Sequence, residues 1–157
     1  MEKRNLRKLT VCMLICLSAG WLGSVFTSSS VKTWYFTIAK PSFNPPSWVF
    51  GPVWTLLFIM MGISIYFIVK NGITDRNKKA VYIFAMQLLL NIIWSMLFFG
   101  MKSPMLAFFE IIVLWLAIAW TMMAFIKLSK KAAYLLIPYI LWVSFAALLN
   151  FGIWILN

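Results

Sequence analysis

The sequence has no histidine, two cysteines (Cys12, Cys16) and three acidic residues (Glu2, Asp75, Glu110) among 157 residues. Metal centres and Ser-His-Asp or Cys-His constellations need residue types that are absent or nearly so, which leaves hydrolase and metalloenzyme readings without raw material. Cys12 and Cys16 share a helix face in an apolar setting and read as small buried thiols, not as a redox pair. Charge is scarce, at 11% of residues, against about 25% in soluble domains. What fills the chain instead is apolar: 64% hydrophobic residues, 18% aromatic and a mean hydropathy of +0.94. A water-exposed globule of this composition would precipitate, so a membrane protein is expected.

Five windows are long enough to cross a bilayer as helices, at residues 9–26, 48–69, 80–99, 105–126 and 132–156. They are continuous, unlike the alternating segments of a membrane β-barrel. The expected fold is an all-α integral membrane protein, a five-transmembrane-helix bundle forming a single membrane domain over residues 1–157. The connector 27–47 is long and rich in Ser and Pro, and is expected to fold back as a cap. The other connectors are short and force neighbouring spans antiparallel. The apolar run after the basic N-terminus exceeds the h-region of a signal peptide, so this first span is expected to be retained.

Basic residues are sorted by side. Lys3, Arg4, Arg7, Lys8, Lys70, Arg76, Lys78, Lys79, Lys127, Lys130 and Lys131 fall on one side of the bundle, and Lys32, Lys40 and Lys102 on the other. By the positive-inside rule the N-terminus is cytoplasmic and the C-terminus outside. The net charge of +11 is thus a topology signal and an attraction for anionic lipid; nucleic acid is not an expected partner.

Nine tryptophans are more than an interfacial belt explains. Trp48 and Trp154 lie at span ends, as a belt requires, but Trp142 lies near mid-span. With the orientation above, Trp54, Asn91, Trp94, Glu110 and Asn150 all fall in the outer half of the bilayer, beneath the connector 27–47. Gln87, Asn91, Trp94, Ser95 and Phe98 form one helical stripe, and Trp142, Phe145, Ala146, Leu149 and Asn150 another. Amides in a membrane face a partner helix or a cavity. Aromatic walls with a few fixed polar groups describe a site for a flat apolar ligand. Glu110 is the one ionisable group inside a span and a candidate for proton-coupled efflux, or else an acid favoured by its helix N-terminus. Ala19 and Gly23, with Gly20 and Ser24 adjacent, allow close helix contact, within the bundle or between copies. The prolines Pro41, Pro45 and Pro46 stiffen the connector, as a lid edge or a plain rigid turn.

The ordered set Trp34-Tyr35, Lys40-Pro41, Pro45-Pro46, Trp48, Phe50, Trp54, then QLLLNIIWSMLFFG from Gln87 and PYILWVSFAALLN from Pro138, resembles the translocator protein family, the tryptophan-rich sensory proteins (TspO/MBR), in a bacterial-type form. The resemblance implies a homodimeric bundle that binds protoporphyrin IX, other tetrapyrroles and flat drug-like molecules, with no cofactor and no metal required. It implies ligand contacts at Tyr35, Trp54, Asn91, Trp94, Phe98, Trp142, Phe145, Ala146 and Asn150. It also implies an alternative enzymatic role, light- and oxygen-dependent porphyrin breakdown, with Trp54 and Trp142 as the catalytic pair. Phe58 stands where many members have Tyr, which removes a hydroxyl from the pocket. The sterol pattern is absent from the fifth span, although Val31, Tyr35 and Lys40 match it elsewhere, so cholesterol is disfavoured as main ligand. The expected location is a bacterial inner membrane.

Overall fold

The structure is a computed structural model that describes residues 3–157; Glu2 lies outside them. Among the described residues there are helices and no strand, which suits a chain whose backbone must be satisfied inside lipid. Five stretches are long and apolar enough to cross a membrane: Lys3–Val31, Ser47–Val69, Lys78–Gly100, Pro104–Ile126 and Lys130–Leu156. The chain is an integral membrane protein, a five-helix bundle with a connector folded over one end.

The first helix, α1 (Lys3–Val31), continues well past residue 26, where the apolar window ends. The hydroxyls of Thr27, Ser28 and Ser29 donate to the carbonyls of Gly23, Val25 and Phe26 at 3.2, 3.4 and 3.2 Å. Hydroxyls satisfied by the preceding turn let a polar run stay helical. Ser30 Oγ donates instead to the Phe99 carbonyl at 2.6 Å, tying the end of α1 to a neighbouring span. The connector is correspondingly shorter than 27–47, and it contains a single turn of helix, α2 (Trp34–Thr37). After Pro45-Pro46 a 3₁₀ turn at Ser47–Val49 leads into α3 (Phe50–Val69).

The third span is α4 (Lys78–Ser95), which runs on through a wide turn at Met96–Gly100, where Met101 N donates to the Met96 carbonyl at 2.8 Å. Lys102, at φ 53°, then makes the left-handed step that reverses the chain. Ser103 caps α5 (Pro104–Ile126), accepting from Leu106 N at 3.4 Å. The fifth window, expected to be continuous over 132–156, is broken into α6 (Lys130–Tyr134) and α7 (Ile137–Leu156). Pro138 has no N–H to offer the Tyr134 carbonyl, so the ladder stops and restarts there.

The helices close a ring: α1 packs on α3, α3 on α6, α7 on α5, α5 on α4, and α4 on α1. Toward the basic end this ring is solid. Gly62 lets α3 approach so near that an added Cβ would lie 2.7 Å from the Met13 Cα. Gly20 plays the same part against the Phe58 ring, at 2.5 Å. Small residues of α1 therefore serve contacts within the bundle. Met61, Ile118 and Phe125 have no exposed surface, Phe84 stacks on Phe125 at 5.8 Å, and Ser64 Oγ donates to the Ala132 carbonyl at 2.7 Å, pinning α3 to α6.

Candidate functional site

Toward the capped end the ring opens. A cavity of about 430 Å³ lies there, within the size range of small-molecule pockets. Its walls come from four spans: Gly20, Gly23 and Thr27 of α1; Phe50, Trp54 and Phe58 of α3 with its leading turn; Asn91, Trp94, Ser95 and Phe98 of α4 and the wide turn; Trp142, Ala146, Leu149, Asn150 and Ile153 of α7. Tyr35 closes the top from α2.

The aromatic walls are continuous. Trp54 stacks on Phe58 at 5.8 Å and lies 6.5 Å from Trp94, which stacks on Phe98 at 5.3 Å. Opposite, Phe50 meets Trp142 edge-on at 5.9 Å. Both α4 and α7 present their stripes at helical spacing, which brings residues 91, 94, 95 and 98, and 142, 146, 149, 150 and 153, to one face each.

The polar groups are few and held in place. Asn91 Nδ2 donates to the Tyr139 hydroxyl at 3.0 Å, and that hydroxyl donates to Gln87 Oε1 at 2.9 Å. Tyr139 is 1% exposed and lies 6.3 Å from Trp54, so the floor beneath the cavity is a fixed chain of hydrogen bonds. Trp94 Nε1 donates to Asn150 Oδ1 at 3.1 Å, and Asn150 Nδ2 to the Pro104 carbonyl at 2.7 Å. Asn91 and Asn150 thus do both jobs weighed from the sequence, bonding helix to helix while facing the cavity. Trp142 Nε1 is buried with no hydrogen-bond partner among the described residues, an N–H on a cavity-lining side chain.

The cap is fastened on the α4 and α7 sides of the cavity. Tyr35 packs against Phe98 and Phe99 and donates its hydroxyl to Asn44 Oδ1 at 2.8 Å. Burial pushes the Tyr35 hydroxyl up to about 12, so this bond keeps its proton throughout the neutral range. Lys40 Nζ sits 4.9 Å above the Tyr35 ring. Pro41 rests on Gly152, where a Cβ would lie 2.5 Å away, and Phe43 meets Phe145 at 6.4 Å. The Asn157 side chain pairs with both the N–H and the carbonyl of Ala39, each at 3.0 Å.

Of the nine expected contact residues, eight line the cavity; Phe145 does not. It lies to one side of the α7 stripe and backs Trp142 at 5.4 Å, so its place is behind the wall. Glu110 does not line the cavity either; both carboxylate oxygens are buried without a partner among the described residues. Gln87 lies below the floor, reached only through Tyr139. Sequence reasoning missed Tyr139 as the residue joining the amides, and missed α1 as a wall. The second signal was present in Gly20, Gly23, Thr27 and Val31, small or short residues spaced along one helical face.

These features define a polytopic membrane protein with an aromatic-walled cavity between its helices, roofed by a connector. A sequence model described as the TspO/MBR family matches residues 12–155. The tryptophan-rich protein TspO of Chlorobaculum tepidum is 46% identical, with 98% of each chain covered. That of Archaeoglobus fulgidus is 45% identical over 98% of this chain and 99% of its own. The translocator protein of Homo sapiens is 35% identical over 85% of this chain and 80% of its own. The chain belongs to the TspO/MBR family.

Proposed function

We propose that this protein binds tetrapyrroles such as protoporphyrin IX, and other flat apolar molecules, in the capped cavity, and acts as a sensor or carrier for them. One observation carries the reading: indoles and carboxamides from three spans surround a single void of about 430 Å³. Planar aromatic ligands gain dispersion and stacking against Trp54, Trp94 and Trp142, and the Trp142 N–H offers a donor to a ligand acceptor. The residues lining the cavity include no His, Cys or Met, the usual axial ligands of haem iron, so metal-free porphyrin is favoured over haem on ligation grounds. The test is tryptophan quenching by protoporphyrin IX in detergent, for wild type, Trp54→Phe and Asn91→Ala. Weaker saturable quenching in both variants is expected, and equal quenching in all three removes the site assignment.

A second reading, photo-oxidative porphyrin breakdown, uses the same cavity. It is favoured by Trp54 and Trp142 standing in its walls, since an indole beside an excited porphyrin can pass an electron to it. Under light and oxygen it predicts a new bilin-like absorbance that Trp142→Phe loses; a reversible shift indicates binding alone. Proton-coupled efflux through Glu110 gains less support, because that side chain does not line the cavity. Its signature is drug resistance abolished by Glu110→Gln with porphyrin binding intact. The proposal places the protein in a bacterial inner membrane, N-terminus cytoplasmic, and capped end outside, as a homodimer. The charge sorting supports the orientation, and crosslinking in membranes tests the dimer.

A further inference from the structure

The cavity has a side as well as a roof. Helices α1 and α3 touch closely at Gly62 with Met13 and at Gly20 with Phe58. Beyond Gly20, toward the cap, several residues of the two helices border the cavity while remaining exposed. On one edge stand Trp21, which is 67% exposed, and Ser24; on the other stand Ser47, Gly51 and Thr55. A residue that borders an interior void and is also exposed marks where that void reaches the surface. Trp21 and Ser24 lie roughly 10–15 Å below the end of α1, and Thr55 is well inside its span, so this surface faces acyl chains and not water.

The edges are chemically quiet. Ser24 Oγ donates to the Trp21 carbonyl at 2.7 Å, and Thr55 Oγ1 to the Gly51 carbonyl at 2.9 Å. With these two hydroxyl protons already used by their own helices, Ser24 and Thr55 demand no hydrogen bond from a passing apolar molecule. The roof is the opposite case, held at Ala39 with Asn157, Pro41 with Gly152, and Tyr35 with Asn44. Every one of these fastenings lies within the cap or joins it to α7. Tyr35 packs on Phe98 and Phe99 at the α4 end as well. On the α1–α3 side the hydrogen bonds of Thr33 to Ser29 and Ser30 hold only the chain's exit from α1, and the lining residues Trp21, Ser24, Gly51 and Thr55 below it stay exposed.

We infer that the slot between α1 and α3 is a lateral portal through which planar apolar ligands dissolved in the bilayer enter and leave the cavity, without passing through water or lifting the cap. The inference rests on the binding reading above. It makes Gly51 a gate position, since a Cβ added there meets nothing within 4 Å and a larger side chain projects into the slot without disturbing packing.

The experiment follows protoporphyrin IX by stopped-flow tryptophan quenching, with the full chain in phosphatidylcholine nanodiscs, and measures dissociation by displacement. Gly51→Leu, and Ser24→Leu on the opposite edge, narrow the slot from two sides. Association and dissociation are expected to slow together by about tenfold, with far less change in the equilibrium affinity. Asn157→Ala, which removes the hydrogen bonds of the cap to α7 and loosens the roof, is expected to leave both rates unchanged. Saturable quenching with unaltered rates in both slot variants, or acceleration by Asn157→Ala, overturns the portal while leaving the binding reading standing. Absence of saturable quenching in the wild type overturns the binding reading and the portal with it.

Discussion

The two halves of the bundle are made from the same five apolar spans, yet one is solid and the other hollow. Toward the basic end, glycine lets α1 and α3 close until backbone meets side chain, and Met61, Ile118 and Phe125 fill what remains. Toward the cap, α3 and α7 have no comparable mutual contact; α3 meets the fifth span through α6, and bulky indoles stand around the resulting void without filling it. The difference teaches that hydrophobicity inserts the chain, whereas residue size along each face decides where it packs and where it leaves room.

The sharpest way to break this comparison is to enlarge a glycine in each half. Gly62→Leu drives a side chain into the Met13 backbone and is expected to destabilise the fold by about 2–3 kcal/mol. Gly51→Leu meets open space and is expected to shift stability by no more than about 0.5 kcal/mol. Thermal unfolding in detergent measures both, and similar losses would show that the two halves are packed alike. Next in size is Tyr139→Phe at the boundary between them. It leaves Asn91 Nδ2 and Gln87 Oε1 without their shared hydroxyl, and is expected to lower stability by about 1–2 kcal/mol. An unchanged melting temperature would mean that the floor is not a structural element.

Within the hollow half, Trp142→Phe keeps a ring but loses area and the free N–H. A loss of about 1.4 kcal/mol, a factor of about 10 in protoporphyrin IX affinity, is expected from a quenching titration. Phe145→Leu, behind the wall, is expected to change affinity less; the reverse order would place Phe145 in the site after all. The smallest effect is expected from Asn157→Ala, which gives up two partly exposed hydrogen bonds to Ala39 and about 0.5–1.5 kcal/mol of cap docking. Faster hydrogen exchange at Ala39, without loss of helical signal, checks it.

Much of the hollow half could be read from the sequence because it is built on helical spacing. Asn91, Trp94 and Phe98, or Trp142, Ala146 and Asn150, share a face on any straight helix, and the charge sorting predicts that those faces share a depth. Phe145 shows the limit of such counting, since one position decides between the wall and the layer behind it. Other features depend on contacts between distant residues and leave weaker traces. The reach of α1 through Thr27, Ser28 and Ser29 turns on hydroxyls that bond backward instead of ending the helix. The role of Tyr139 exists only once α4 and α7 are side by side. The break before α7 had its signal in Pro138, masked by the apolar run around it.

The length of α1 has one more consequence. Its 29 residues span roughly 43 Å, whereas the hydrocarbon layer is about 30 Å thick. The apolar stretch 9–26 takes up roughly 27 Å of that length, so the basic first turns and the polar last turns of α1 reach into the headgroup layers on either side. Because α1 forms one jamb of the slot and is anchored in both headgroup layers, a thinner or thicker bilayer changes its tilt and with it the width of the slot, making lipid composition a rheostat for traffic into the interior.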